Sequence, residues 1–91
     1  MRKVWYPAVL EIGSESYWVY FPDFAGCVAA GATAAEAAQN ATDVLAMFTQ
    51  DRREPLPEPS PLDAPLDAEA EPAARLLIPL EVAEERAPVA A

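Results

Sequence analysis

The sequence predicts an α+β domain. It has a three-stranded meander, one helix packed on one sheet face, and a fourth strand returning after the helix, in the order βββαβ. Three observations carry this. Apolar residues alternate with period two from Val4 to Ile12 and again from Tyr17 to Phe21. An alanine-rich segment with apolar residues at three- and four-residue steps follows Thr33. A last apolar run from Arg75 to Val82 lies beyond a stretch rich in proline and acid.

The first run places Val4, Tyr6, Ala8, Leu10 and Ile12 on one face and Trp5, Pro7, Val9 and Glu11 on the other. Pro7 has no N–H, so it belongs near the strand start or where its amide meets no partner. Gly13-Ser14-Glu15 is a hairpin-type connection. Tyr17, Val19 and Phe21 then join the inward face, and Trp18 and Tyr20 face outward. The second strand stops at Pro22-Asp23, and Gly26 lets the chain turn. Cys27-Val28-Ala29-Ala30 is a short third strand, broken by Gly31-Ala32.

Thr33-Ala34-Ala35-Glu36 fits a capping box. The Thr33 hydroxyl can accept from the Glu36 amide, and the Glu36 carboxylate can reach back to the Thr33 amide. Ala34, Ala37, Ala38, Ala41, Leu45 and Phe48 form the expected buried stripe. The helix is expected to end near Asp51–Arg53, with Arg52 and Arg53 suiting the negative end of its dipole and Pro55 blocking continuation. Residues 54–74 read as an extended or mobile Pro/acid-rich connector. The final strand, residues 76–82, is expected to return parallel to the first, with Pro79 arguing for an edge or a gap in pairing. One domain is therefore expected from residues 1–53 and 75–83, with 84–91 a frayed tail.

Composition narrows the function classes. A chain of 91 residues is one small domain, and self-association would bury more of its surface. It has no histidine, which excludes imidazole acid–base chemistry and His-based metal sites. The single cysteine, Cys27, reads as a small buried apolar residue. No apolar run approaches the roughly 18 residues of a membrane span, and no signal-peptide pattern is present, so a cytoplasmic protein is expected. Net charge is −9, with −3 in residues 1–50 and −6 in residues 51–91. Such a charge would repel nucleic acid, and it either attracts a basic partner or simply keeps a small protein soluble. No cofactor is expected. Metal-assisted cleavage would need converging carboxylates. Among the candidates, Glu36 is used as a cap, Asp43 lies seven residues from it, and Asp23 sits in a turn where aspartate bonds backbone. No enzyme is expected.

The outward residues Trp5, Val9, Trp18 and Tyr20 would form one apolar patch by cross-strand contact. A patch of that kind on a small domain marks a partner or subunit interface, unless a segment of the same chain covers it.

The string Phe21-Pro22-Asp23-Phe24-Ala25-Gly26-Cys27 is followed by Gly31-Ala32-Thr33-Ala34-Ala35-Glu36-Ala37, then Asn40-Ala41, then Pro57-Glu58-Pro59-Ser60. In order and spacing these resemble the HicB antitoxin family over about residues 4–62. The resemblance implies a partial ribonuclease H-like fold and a dimer or tetramer. It implies the neutralising half of a type II toxin–antitoxin pair. The partner would be a HicA toxin, a small basic messenger-RNA-cleaving protein with an active-site histidine. The family motif residues here, with structural roles, are Phe21, Pro22, Asp23, Gly26, Cys27, Gly31, Thr33, Glu36 and Asn40. Many members add a C-terminal DNA-binding domain, a ribbon-helix-helix or helix-turn-helix. After Val82 nine residues follow, including Glu84, Glu85 and Pro88, so no such domain is expected and operator binding is disfavoured. The alternative function is a stand-alone oligomeric binding or regulatory protein without a toxin.

Overall fold

A computed structural model of the chain describes residues 2–52, 55–64 and 73–84. Four strands and one helix follow in the expected order: β1 (Arg2–Ile12), β2 (Tyr17–Tyr20), β3 (Val28–Gly31), α1 (Ala34–Gln50) and β4 (Ala74–Val82). The sheet order is β3-β2-β1-β4. The first three strands are the meander, closed by a Gly13 N–H to Ser16 carbonyl bond of 2.8 Å at the first turn.

The fourth strand corrects the expected direction. β4 pairs with β1 antiparallel, not parallel, from Leu10↔Ala74 to Arg2↔Val82. The chain between α1 and β4 carries it back to the Leu10 end of β1, and the Ala73 amide bonds the Leu10 carbonyl at 2.9 Å. Strand direction is thus set by where this segment lands. Pro79 lies on an edge strand, opposite Trp5.

The inner face is as the alternation requires. Val4, Tyr6, Ala8, Leu10, Val19, Ala29, Ile78, Leu80 and Val82 are buried there with Phe21, Phe24, Cys27 and Leu56. Ile12 shares the parity but is 67% exposed, because it lies past the covered part of the sheet. The helix packs on this face against β2, β3 and β4. Of the expected stripe, Ala37, Ala41 and Leu45 are buried and Ala38 is half-buried, while Thr49 completes the buried line in place of Ala34 and Phe48. Ala34 is exposed and Phe48 largely so, which rotates the contact line by about one residue. Thr49 is tolerated in the core because its hydroxyl donates to the Leu45 carbonyl at 2.9 Å.

Small residues bring helix and sheet close. A Cβ at Gly31 would stand 2.4 Å from the Ala37 amide nitrogen, so β3 can pass the first helical turn only as glycine. The Glu36 amide donates to the Thr33 hydroxyl at 3.0 Å, as the capping box requires. The reciprocal bond differs: the Glu36 carboxylate accepts from Ala32, at 3.4 Å, rather than from Thr33. Asn40 donates to the Ala30 carbonyl at 2.8 Å and ties the helix to β3.

Candidate partner-binding face

The motif Phe21–Cys27 folds as two successive turns. Phe24 N–H bonds the Phe21 carbonyl at 3.1 Å, and Cys27 N–H bonds the Phe24 carbonyl at 3.0 Å. Gly26 takes a φ of 86°, the left-handed region that glycine enters without penalty. Phe21, Phe24 and Cys27 point inward at three-residue spacing. Phe24 is the hub of an aromatic cluster. Its ring meets Tyr6 edge-to-face at 4.8 Å and Phe48 at 6.2 Å, and the Arg52 guanidinium lies 5.5 Å from its centre. Arg52 was expected at the helix dipole; its position over Phe24 lies just past the helix end. Burial pushes the Cys27 thiol up to about 11, so it is chemically quiet. Burial, helped by the negative Asp23, pushes Tyr6 up to about 12.

The second half of the family motif docks onto the first. Ser60 donates its amide to the Asp23 carboxylate at 2.9 Å, and its hydroxyl donates to the other carboxylate oxygen. The Tyr6 hydroxyl donates to the Pro57 carbonyl at 2.7 Å, and Leu56 enters the core. Asp23 therefore bonds a segment 37 residues away rather than its own turn. Residues 55–64 form a strap with no helix or strand, ending in a turn closed by the Ala64 amide and the Pro61 carbonyl, and seated on the domain. Residues 65–72 and 85–91, within the expected connector and tail, lie outside the described residues.

This segment changes the outer face. Together with Pro7, Val9 and Pro22, residues Ser60, Pro61 and Leu62 line one small cleft. The strap thus lies over the middle of the face, and Val9 is only 2% exposed. Of the four residues expected to form one patch, Trp5 is 49% and Trp18 46% exposed, Tyr20 is half-buried, and Val9 is covered. Leu77 and Val28 are further exposed apolar residues of this face that the alternation did not single out. Their parity was readable once pairing was known: Leu77 is opposite Pro7, and Val28 opposite Tyr20.

Charge is held close to the chain. Lys3 lies 5.7 Å from the Trp5 ring centre and in register with Glu81. Arg75 donates to the Leu62 carbonyl at 2.9 Å and the Ala64 carbonyl at 2.8 Å. Among the described residues, no group of three His, Cys, Asp or Glu side chains could hold a metal ion. Asp23 is committed to Ser60 and Glu36 to the helix cap. No described helix is long and apolar enough to cross a membrane.

Comparison with known proteins supplies what the face alone does not. A crystal structure titled antitoxin HicB3 superposes with a TM-score of 0.70 at 26% sequence identity, covering 97% of this chain and 70% of that one. No curated protein matches the sequence. A family model described as the HicB-like antitoxin of bacterial toxin–antitoxin systems matches residues 6–88, which include both halves of the motif and all four strands or most of each. The chain belongs to the family of HicB-like antitoxins of bacterial toxin–antitoxin systems.

Proposed function

We propose that this protein neutralises a small basic, HicA-type mRNA-cleaving toxin by binding it directly in the cytoplasm, as a homo-oligomer and without catalysis of its own. Family membership over residues 6–88 carries the reading. Two properties of the molecule support it. The net charge of −9 favours encounter with a basic protein and disfavours nucleic acid. The outer face, which the helix does not cover, exposes Trp5 and Trp18 with Tyr20 partly accessible, and exposed aromatic residues are the usual anchors of protein interfaces. Of the carboxylates weighed for phosphoryl chemistry, Asp23 accepts from Ser60 and Glu36 accepts from the Ala32 amide.

The test is a pull-down with the purified product of the neighbouring small basic reading frame. Co-purification that weakens as salt is raised is expected. Failure to bind at any ionic strength, or metal-dependent nuclease activity of this chain abolished by Asp23→Ala, would overturn the reading.

A further inference from the structure

A solvated helix side normally carries charge, and the exposed side of α1 carries almost none. Residues 37–50 hold one charged residue, Asp43, in a chain in which 23% of residues are charged. Around Asp43 the exposed residues are Gln39, Ala46, Met47, Phe48 and Gln50. Three of these, Ala46, Met47 and Phe48, are consecutive and apolar. Consecutive residues lie about 100° apart around a helix, so the three spread across the solvent side and do not form one inward stripe. Met47 is 64% exposed and Phe48 40%. An exposed apolar run on a small domain marks a contact surface.

This side of the helix has a projection and a recess. The Phe48 ring is braced edge-to-face on Phe24 at 6.2 Å, and Phe24 on Tyr6 at 4.8 Å, so Phe48 is held in place beforehand. Met47 beside it is unbranched and adapts to irregular surfaces. On the other flank, Thr42 and Ala46 line a cleft between α1 and the sheet, with Pro79 and Leu80 of β4. The charged residues lining that cleft, Lys3, Asp43 and Glu81, sum to a single negative charge. Met47 and the cleft lie within about two turns of helix. A surface with both features can complement a copy of itself, because a two-fold contact gives each chain's projection to the other's recess.

Chemistry selects the occupant. A membrane surface or a nucleic acid would need Lys or Arg on the helix, and residues 34–50 contain neither. A strongly basic partner would need clustered carboxylates, and here Asp43 is accompanied only by Glu81, which is in register with Lys3. Two copies of a chain of charge −9 repel wherever acid is dense, so the least charged side is where they can approach.

We infer that the exposed side of α1, centred on Ala46, Met47 and Phe48, is the surface on which a second copy of this chain docks. This deepens the homo-oligomer of the proposed function and rests on it. It leaves the outer sheet face, which the helix does not cover, to the toxin. Like-charged copies are screened by salt, so raising salt tightens this contact, opposite in sign to the toxin contact.

The experiment is sedimentation of the full chain over a range of concentrations and at two salt concentrations, with Met47→Glu, Ala46→Glu, Trp5→Ser and Trp18→Ser variants. Met47 and Ala46 are exposed, so neither change touches the core, and melting curves verify that each variant is folded. Met47→Glu and Ala46→Glu are expected to weaken self-association at least tenfold, and both tryptophan variants to stay within twofold. Higher salt is expected to tighten the wild-type dimer. In a parallel calorimetric titration with the purified basic toxin, Met47→Glu is expected to bind within twofold of wild type. A dimer unchanged within twofold by both helix variants, or one weakened tenfold by a tryptophan variant instead, overturns the assignment and leaves self-association standing. A wild-type chain that stays monomeric at every concentration overturns both. Loss of toxin binding in Met47→Glu with the dimer intact assigns the helix to the toxin and refutes the inference.

Discussion

Replacing Gly31 by alanine tests how the helix is seated. The backbone of Gly31 is not in the left-handed region, so alanine is conformationally allowed there. Restricting the unfolded chain would by itself stabilise the protein by about 0.4–1 kcal/mol. Space decides the sign. The new methyl would meet the Ala37 nitrogen at 2.4 Å, the Glu36 carbonyl carbon at 2.8 Å and the Ala37 Cα at 2.9 Å. All three are backbone atoms of the first helical turn, so no side chain can swing aside. The helix start would have to shift, straining the Thr33–Glu36 cap and the Asn40–Ala30 bond. Overpacking costs typically about 1–3 kcal/mol and a lost cap about 1 kcal/mol, which outweighs the entropic gain. A net loss of about 2 kcal/mol is expected, or a melting temperature lower by roughly 8–16 °C for a domain of this size. Urea unfolding followed by circular dichroism reads it as a lower midpoint with unchanged slope. A loss below about 0.5 kcal/mol would refute the close helix–sheet approach.

Other expectations follow from the same geometry. Gly26→Ala meets no atom within 4 Å but must hold a φ of 86°, so it should cost about 1–2 kcal/mol through backbone strain alone; a neutral result in urea would show the turn can relax. Asp23→Ala leaves the Ser60 amide and hydroxyl without their acceptor and should cost about 1.5–3 kcal/mol, with faster hydrogen exchange at Ser60; unchanged exchange there would contradict the strap's attachment. Tyr6, near 12, and Cys27, near 11, are both held neutral by burial. Their contribution to stability is complete below their unfolded values and fades as pH rises through 9 towards 12. The urea midpoint should fall over that window, and less steeply in Tyr6→Phe; a flat midpoint would show that Tyr6 and Cys27 ionise freely in the fold.

Local patterns made most of the fold legible. Period-two alternation from Val4 and from Tyr17 gave the strands and their inner face, and Thr33 with Glu36 gave the helix start, because these signals act between neighbours in sequence. What escaped depends on long-range placement. Nothing within residues 76–82 encodes whether the strand runs with or against β1; the landing of the preceding segment at Leu10 decides it. Proline and acid content described the strap's stiffness and solvation but not its contacts, so Ser60 on Asp23, Pro57 on Tyr6 and the cover over Val9 were invisible. The same cover divides the aromatic face. Trp5 and Trp18 share a parity, and parity alone cannot show that a crossing segment stands between them.

Silencing of a basic ribonuclease by direct binding is the proposed activity of this chain. The most direct measurement is cleavage of a messenger RNA by the purified HicA-type toxin as this protein is titrated in. Cleavage is expected to fall in proportion to added protein and to stop near one chain per toxin. Cleavage undiminished by a large excess of the folded wild-type chain would contradict it.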